Sequence, residues 1–96
     1  GSIMALRKHN AKRDASEPFI VEALQRCGCD VYRLDRPVDL LCYHAPSQAL
    51  FLIECKTGKA KLNDFQANFV KRWPVHVVTT AEQAVAVVSG FRRKAA

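Results

Sequence analysis

The segment PVDLLCYHAPSQALFLIECK, residues 37–56, contains the strongest structural signal in the chain. Two apolar runs flank a short turn-like stretch, Ala45-Pro46-Ser47-Gln48. Apolar runs of strand length on either side of a turn are typical of a β-hairpin. The sequence therefore predicts two antiparallel strands, from Val38 to His44 and from Leu50 to Lys56.

Three charged residues interrupt the apolar pattern at the open end of this hairpin. Asp39 lies early in the first strand, and Glu54 and Lys56 close the second. Because side chains alternate across a strand, Glu54 and Lys56 point to the same face. Antiparallel pairing brings Asp39 close to the level of Glu54, where the backbone carbonyl of Cys55 is also available. Hard divalent cations prefer such oxygen ligands, and a lysine ammonium beside them can stabilise a phosphate oxygen.

The composition is that of a small globular protein with a basic charge balance. The chain has 96 residues, of which 49% are apolar, enough for one small domain with a modest core. Its formal net charge is +6, and its pI is about 9.5. This charge favours a polyanionic partner such as nucleic acid. A simpler explanation of the positive net charge is that basic residues near both ends of the chain keep the protein soluble.

The organisation of the chain is interpreted as an arm followed by a domain. Residues 1–13 are expected to form a flexible basic arm that starts with a cloning remnant, and residues 14–96 a single domain. The arm is either disordered or a phosphate-contacting element. No apolar run is long enough to span a membrane, and no signal peptide is visible. The four cysteines lack the paired spacing of zinc sites, so buried free thiols of a reducing, cytoplasmic compartment are favoured over a zinc site completed by histidines.

Apolar spacing and capping residues predict the other elements. They are a helix from about Ser16 to Cys27, a strand from Cys29 to Asp35, a helix from about Asn63 to Trp73, a strand from Val75 to Thr79 and a helix from about Ala81 to Ser89. Gly28 and Gly90 are expected to follow their helices. The order α-β-β-β-α-β-α predicts an α/β fold, a mixed four-stranded sheet flanked by helices. The third strand should be central and covered on both faces, and its crossover to the fourth strand parallel and right-handed.

Two polar residues fall on the apolar faces of these helices. At about 100° per residue, Glu17 lies in line with the core stripe of the first helix, where an acid needs a partner or a metal. The helix dipole also favours an acid in the first turn, which is the simpler explanation. Asp14, one turn earlier, could approach the same place. Gln66 either bonds to the backbone as a core glutamine or points at the metal cluster or a substrate phosphate.

Taken together, these residues resemble the PD-(D/E)xK signature of metal-dependent nucleases. The closer resemblance is to the virus-type replication-repair nuclease (VRR-NUC) domains, in their small stand-alone phage form, and it extends from about Asp14 to Val88. The matching segments are Asp14 to Glu17, Leu24 to Gly28, Pro37 to Asp39, Glu54 to Lys56, Leu62 to Gln66, Val75 to Thr79 and Ala81 to Ala84. The sequence departs from the pattern at Val38, which separates the proline from the aspartate.

The resemblance implies a role for each site residue. Asp39, Glu54 and the Cys55 backbone carbonyl would bind Mg²⁺ or Mn²⁺ directly, and Glu17 would act directly or through water. Lys56 would orient the attacking water and stabilise the transition state. Gln66 would contact water, Lys56 or phosphate. The catalytic residues would thus be Glu17, Asp39, Glu54, Lys56 and Gln66.

The expected function is that of a metal-dependent, structure-selective DNA endonuclease. Small family members resemble Holliday-junction resolvases that work as homodimers, here through exposed residues such as Phe19, Tyr32 or Phe91. DNA contacts are expected from Arg36, Lys59 and Lys61. A phage-encoded protein of this kind would act in the cytoplasm of the bacterial host. The alternatives are a flap or single-strand nuclease, a non-catalytic module that binds branched DNA, and a structural domain with an Asp39–Lys56 ion pair.

Overall fold

The computed structural model describes residues 13–58 and 61–95, so the predicted arm, apart from Arg13, lies outside the described residues. Within these residues, three α-helices and four strands follow one another in the predicted order. They are α1 (Glu17–Arg26), β1 (Cys29–Arg33), β2 (Leu40–His44), β3 (Ala49–Cys55), α2 (Asp64–Arg72), β4 (Val75–Val78) and α3 (Ala81–Ala95). A 3-10 turn, Ala45–Ser47, joins β2 to β3. The predicted mixed α/β fold is confirmed.

The four strands form one sheet in the order β1-β2-β3-β4. The pairs β1–β2 and β2–β3 are antiparallel, and β3–β4 is parallel. The predicted hairpin and the parallel crossover through α2 are therefore both present. As predicted, β3 lies in the interior of the sheet.

One face of the sheet carries the core. The buried apolar side chains of this layer come from both the strands and the helices α1 and α3, and they are Ile20, Leu24, Cys29, Leu40, Cys42, Phe51, Ile53, Cys55, Val78, Ala84 and Val88. Full burial of one Leu or Ile side chain contributes about 1.5–3 kcal/mol. Apolar burial therefore holds α1 and α3 on the sheet.

The opposite face of the sheet is largely open, and the prediction that β3 is covered on both faces is wrong. Leu50 of β3 is 71% exposed, and Tyr32 of β1 is 69% exposed. The reason lies in α2, which reaches this face through Gln66 but has no buried residue of its own. The apolar run of β3 is therefore enclosed on the core face, at Phe51 and Ile53, and open at Leu50.

Several element boundaries differ from the predicted ones. The chain bends through residues 35–39, so β1 stops at Arg33 and β2 starts at Leu40 instead of Val38. The last helix does not end before Gly90 but continues to Ala95. Phe91 explains this extension, because its ring packs against Phe51 with centroids 4.9 Å apart.

The C-terminus of α1 matches its prediction. Gly28 follows the helix with φ +92°, a conformation that glycine adopts without the penalty a Cβ atom would bring. The Arg92 guanidinium of α3 donates a hydrogen bond of 2.9 Å to the carbonyl of Cys27. This contact satisfies a carbonyl that the helix end leaves free.

The four cysteines are free thiols, three of them buried. Burial raises the pKa of the Cys42 thiol to about 12. Across residues 13–58 and 61–95, no helix is long and apolar enough to cross a membrane.

Candidate metal site at the ends of β2 and β3

The open end of the β2–β3 hairpin brings Asp39 and Glu54 to the same level. Asp39 immediately precedes β2, and the pairing of Leu40 with Ile53 places it opposite Glu54. Asp39 Oδ2 accepts a hydrogen bond of 2.7 Å from the Cys55 backbone N–H. Because the N–H and C=O of a strand residue point to the same edge, the Cys55 carbonyl also points toward the Asp39 side.

Glu54 is a buried acid with one satisfied oxygen. Only 1% of the residue is exposed. Its Oε2 accepts a hydrogen bond of 2.8 Å from Gln66 Nε2, whereas its Oε1 is buried without a hydrogen-bond partner in the described part of the chain. Burial, together with the negative charge of Asp39, raises the pKa of Glu54 to about 7. A buried oxygen without a donor is costly, and a cation would satisfy it.

Lys56 lies on the same side of the chain as Glu54, as strand alternation predicts. Its Nζ is 3.9 Å from Glu54 Oε2, and its side chain is 23% exposed. The Lys56 backbone N–H donates a hydrogen bond of 3.0 Å to the carbonyl of Val78. The backbone is thus fixed by β4 while the side chain keeps access to solvent.

Gln66 is positioned by the N-terminus of its own helix. Asn63 Oδ1 accepts a hydrogen bond of 2.8 Å from the Gln66 N–H, and Gln66 Oε1 accepts one of 3.0 Å from the Asn63 N–H. This reciprocal pair is a capping box, and it confirms Asn63 as the cap of α2. Gln66 Oε1 accepts from the backbone, as in the first predicted alternative. Its Nε2 donates to Glu54, a residue of the predicted metal cluster, as in the second.

Glu17 is buried in the first turn of α1, and the cation beside it is an arginine. Arg13 Nη1 donates to both carboxylate oxygens at 2.9 Å, and Arg33 Nε lies 3.2 Å from Oε2. Burial raises the pKa of Glu17, and Arg13 offsets part of that effect. Arg13 and Arg33 therefore neutralise the negative charge of the Glu17 carboxylate without a metal ion.

Arg13 connects several parts of the site, although the sequence pattern places it in the flexible arm. Its Nη2 donates a hydrogen bond of 2.9 Å to the carbonyl of Leu34. Its guanidinium lies 3.6 Å from an oxygen of Asp35 and 3.9 Å from an oxygen of Asp39. The i, i+4 spacing of Arg13 and Glu17 is the signal that could have indicated this pair.

Asp14 links the start of α1 to the end of β3. Its Oδ2 accepts a hydrogen bond of 2.8 Å from the Thr57 N–H, and its Oδ1 accepts from the N–H and hydroxyl of Ser16. Burial favours the neutral acid, but these hydrogen bonds and the nearby Lys56 outweigh it and lower the pKa of Asp14. Asp14 was expected to approach the place that Glu17 occupies; its carboxylate instead binds the Thr57 N–H, at the end of β3.

The carboxylates of Glu17, Asp39 and Glu54 do not form one group in which all three lie within reach of a single metal ion. Among the described residues, the group of three possible ligand atoms within 4.8 Å of one another belongs to Glu17, Asp39 and Cys55. The cysteine atom in this group is the Sγ, and burial raises the pKa of that thiol far above its usual range. A neutral thiol suits a hard cation poorly. Asp39 thus lies between Glu17 on one side and Glu54 on the other.

The donor set next to Asp39 fits a divalent cation. The Asp39 and Glu54 carboxylates and the Cys55 carbonyl are oxygen donors of the kind that Mg²⁺ and Mn²⁺ prefer. Glu54 Oε1, which is buried without a hydrogen-bond donor among the described residues, is an oxygen that a cation would satisfy. Glu17 could join this set once Arg13 releases it.

Of the predicted DNA contacts, Arg36 and Lys61 are exposed, and Lys59 lies outside the described residues. A cleft of about 280 Å³ is lined by Asp35, Arg36, Pro37, Asn63, Phe65 and Gln66, of which Gln66 contacts the candidate site through Glu54. The exposed guanidinium of Arg36 therefore lies at a cavity that is also lined by Gln66, the residue that donates a hydrogen bond to Glu54.

Comparison of the chain with families of known proteins, with curated proteins and with solved structures gave no match. Membership of the VRR-NUC family therefore stays a prediction from the sequence motifs.

Proposed function

We propose that the protein is a divalent-metal-dependent endodeoxyribonuclease that hydrolyses phosphodiester bonds in branched DNA. In this proposal the substrate is the four-way Holliday junction and the working form is a homodimer. The main support is Glu54, a buried carboxylate with one unpartnered oxygen, beside Asp39 and within 3.9 Å of Lys56. We further propose a cytoplasmic location, because a reducing compartment keeps thiols free.

The residues divide the chemistry between them. Asp39, Glu54 and the Cys55 carbonyl would hold Mg²⁺ or Mn²⁺, which when bound acidifies a water molecule and neutralises charge that develops on the phosphate. Gln66 keeps the Glu54 carboxylate in place through its hydrogen bond of 2.8 Å. The partly exposed ammonium of Lys56 can contact a phosphate and stabilise its negative oxygens in the transition state.

A homodimer suits a four-way junction, because two sites related by a two-fold axis can cut two strands symmetrically. Phe19 and Tyr32, two of the expected interface residues, are 67% and 69% exposed. Phe91, the third, is partly buried because its ring packs on Phe51. Sedimentation velocity under cleavage conditions should give the mass of two chains, and a monomer there would contradict a paired resolvase.

Cleavage of labelled DNA tests the proposed activity. Four-way junction, flap, duplex and single-stranded DNA are incubated with Mg²⁺, Mn²⁺ or EDTA. We expect paired nicks in the junction that are absent with EDTA and at least about a hundredfold slower in Lys56→Ala, which removes a group that stabilises the transition state. The matched control, Lys94→Ala, removes an exposed lysine of α3 and should cut at the wild-type rate. Cutting of flaps or single strands alone would contradict the junction assignment.

One observation favours a second candidate, a non-catalytic module that binds branched DNA. Arg13 Nη1, which donates to both oxygens of Glu17, satisfies an acid that the nuclease interpretation assigns to the metal. Titration calorimetry with Mn²⁺ distinguishes the two candidates. Binding that Glu54→Gln abolishes supports the nuclease, whereas tight junction binding without metal binding or cleavage supports the module.

A further inference from the structure

Helix α2 has an apolar stripe that is not packed into the core of the protein. Phe65, Phe69, Val70 and Trp73 follow helical spacing on one side of α2, yet the helix has no buried residue. Phe65 is 53% exposed and Trp73 is 51% exposed. An amphipathic helix normally turns such a stripe to the protein core, and an exposed apolar patch marks an interaction site.

The aromatic rings on this helix form a stacked column. The rings of Phe69 and Trp73 are parallel within 5°, with centroids 5.2 Å apart. Phe65 continues the column at 6.3 Å from Phe69, with planes inclined by 29°. Aromatic rings bind the flat faces of other π systems in the same geometry. Phe65, 53% exposed, is thus the end of the column at which a further ring could stack.

The column ends beside the candidate metal site. Phe65 lines the cleft of about 280 Å³ together with Asn63 and Gln66, and Gln66, its neighbour in the chain, hydrogen-bonds to Glu54 at 2.8 Å. The capping box between Asn63 and Gln66 fixes this turn of the helix. A flat group stacked on Phe65 in the cleft would therefore lie next to Gln66, one hydrogen bond away from Glu54.

Cations accompany the rings along the helix. Arg36 lines the cleft, and Lys61 is exposed just before α2. Arg72, exposed in the last turn of α2, lies on the same side of the helix as Phe65 at about 100° per residue. The acids nearby are Asp64 in the first turn and Asp35 in the cleft. Alternating rings and cations on an exposed surface are typical of proteins that bind single-stranded nucleic acid, where bases stack on the rings and phosphates pair with the cations. A second copy of this basic chain would be repelled by the same cations.

We propose that the Phe65–Phe69–Trp73 column binds unpaired bases of a DNA strand, with one base stacked on Phe65 in the cleft next to Gln66. This inference rests on the proposed function and makes it more specific, because the protein would have to unpair nucleotides at the crossover of the four-way junction before their bases could stack beside the cleavage point. Duplex arms of the substrate would bind elsewhere, since their bases are not available for stacking.

Trp73, the single tryptophan of the chain, reports on this surface directly. Its fluorescence is titrated with oligo-dT and with blunt duplex DNA of the same length, in EDTA so that no cleavage occurs. We expect oligo-dT to quench the fluorescence and the duplex to leave it nearly unchanged. Equal quenching by both DNAs would overturn the proposal.

Variants of the ring identify base stacking as the cause. Phe65→Leu keeps an apolar side chain but removes the aromatic face, so oligo-dT affinity should fall roughly 5- to 150-fold, the range for the loss of one base–aromatic stack. Phe65→Tyr should bind like the wild type. Phe19→Leu, which alters an equally exposed phenylalanine of α1, is the matched control and should also bind like the wild type. Wild-type affinity in Phe65→Leu would overturn the proposal.

This experiment and the cleavage assay can fail independently. Ring-dependent binding without cleavage under any metal would overturn the nuclease proposal and leave the stacking surface in place. Cleavage with affinity that is insensitive to Phe65 would overturn the stacking surface alone.

Discussion

Glu54 is a buried acid whose neighbours favour opposite protonation states. Burial and the negative charge of Asp39 favour the protonated form, whereas Lys56 favours the carboxylate. In the absence of metal, the net result raises the pKa of Glu54 from 4.5 to about 7. A bound cation would reverse this balance, because it stabilises the carboxylate.

The raised pKa predicts a pH dependence of stability. Between pH 4.5 and about 7, unfolded Glu54 has lost its proton while folded Glu54 retains it. The folded state then binds more protons, so the free energy of unfolding in EDTA should fall as the pH rises through this window. One proton gives a slope of at most about 1.4 kcal/mol per pH unit. Urea unfolding across the window measures the slope.

Two variants isolate the contribution of Glu54. Glu54→Gln removes the titrating group and should show a shallower decline than the wild type. Glu22→Gln removes an exposed acid of α1 and should show the wild-type decline. Identical slopes for the wild type and Glu54→Gln would contradict the raised pKa.

Arg13 lies beside Glu17, where a metal ion would bind if Glu17 were one of its ligands. This leads to a second prediction. In EDTA, Arg13→Ala should lower the free energy of unfolding by about 1–3 kcal/mol, because a buried acceptor loses its main donor. The same variant should bind Mn²⁺ more tightly than the wild type, because the metal no longer competes with a guanidinium. Urea unfolding and titration calorimetry measure the two effects.

The control for Arg13 is another arginine paired at the same i, i+4 spacing. Arg26 lies 3.8 Å from Glu22, but both side chains are largely exposed, and exposed pairs contribute little. Arg26→Ala should therefore change neither stability nor Mn²⁺ affinity measurably. Unchanged Mn²⁺ affinity in Arg13→Ala would show that Arg13 does not compete with the metal.

At the scale of secondary-structure elements, signals that depend on near neighbours in sequence predicted the structure well. The cap at Asn63, the positive φ at Gly28 and the hairpin turn depend on a few adjacent residues. The closeness of Asp39, Glu54 and Lys56 follows from hairpin register and strand alternation, which are also local rules. These rules account for most of the candidate site.

Contacts between distant elements were not predictable in the same way. The contact of Arg33 with Glu17 depends on how the end of β1 meets α1, and no spacing in the sequence encodes it. The open face of β3 depends on where α2 lies, which the apolar content of β3 does not determine. The extension of α3 past Gly90 depends on the packing of Phe91 on Phe51.

At the scale of the whole molecule, the described basic residues that form no ion pair with a described acid lie on two surfaces. One comprises Arg36, Lys61, Lys71 and Arg72, around the cleft and α2, and the other comprises Arg92, Arg93 and Lys94 at the end of α3. The basic residues of α3 also complement the dipole at the C-terminus of that helix, so their charge has a structural explanation. Lys71 and Arg72, in the last turn of α2, have the same structural explanation, whereas Arg36 and Lys61 do not.

The salt dependence of DNA binding distinguishes the two surfaces. The affinity of the protein for junction DNA should fall steeply with salt, because neutralising each phosphate releases counterions. The double variant Lys61→Ala/Lys71→Ala should reduce the slope of log affinity against log salt by about 0.9 for each phosphate that is no longer neutralised. Arg93→Ala/Lys94→Ala changes the net charge equally and should keep the wild-type slope. Anisotropy titrations at several salt concentrations measure both slopes, and a reduced slope in the α3 variant alone would place the DNA across α3 and away from the candidate site.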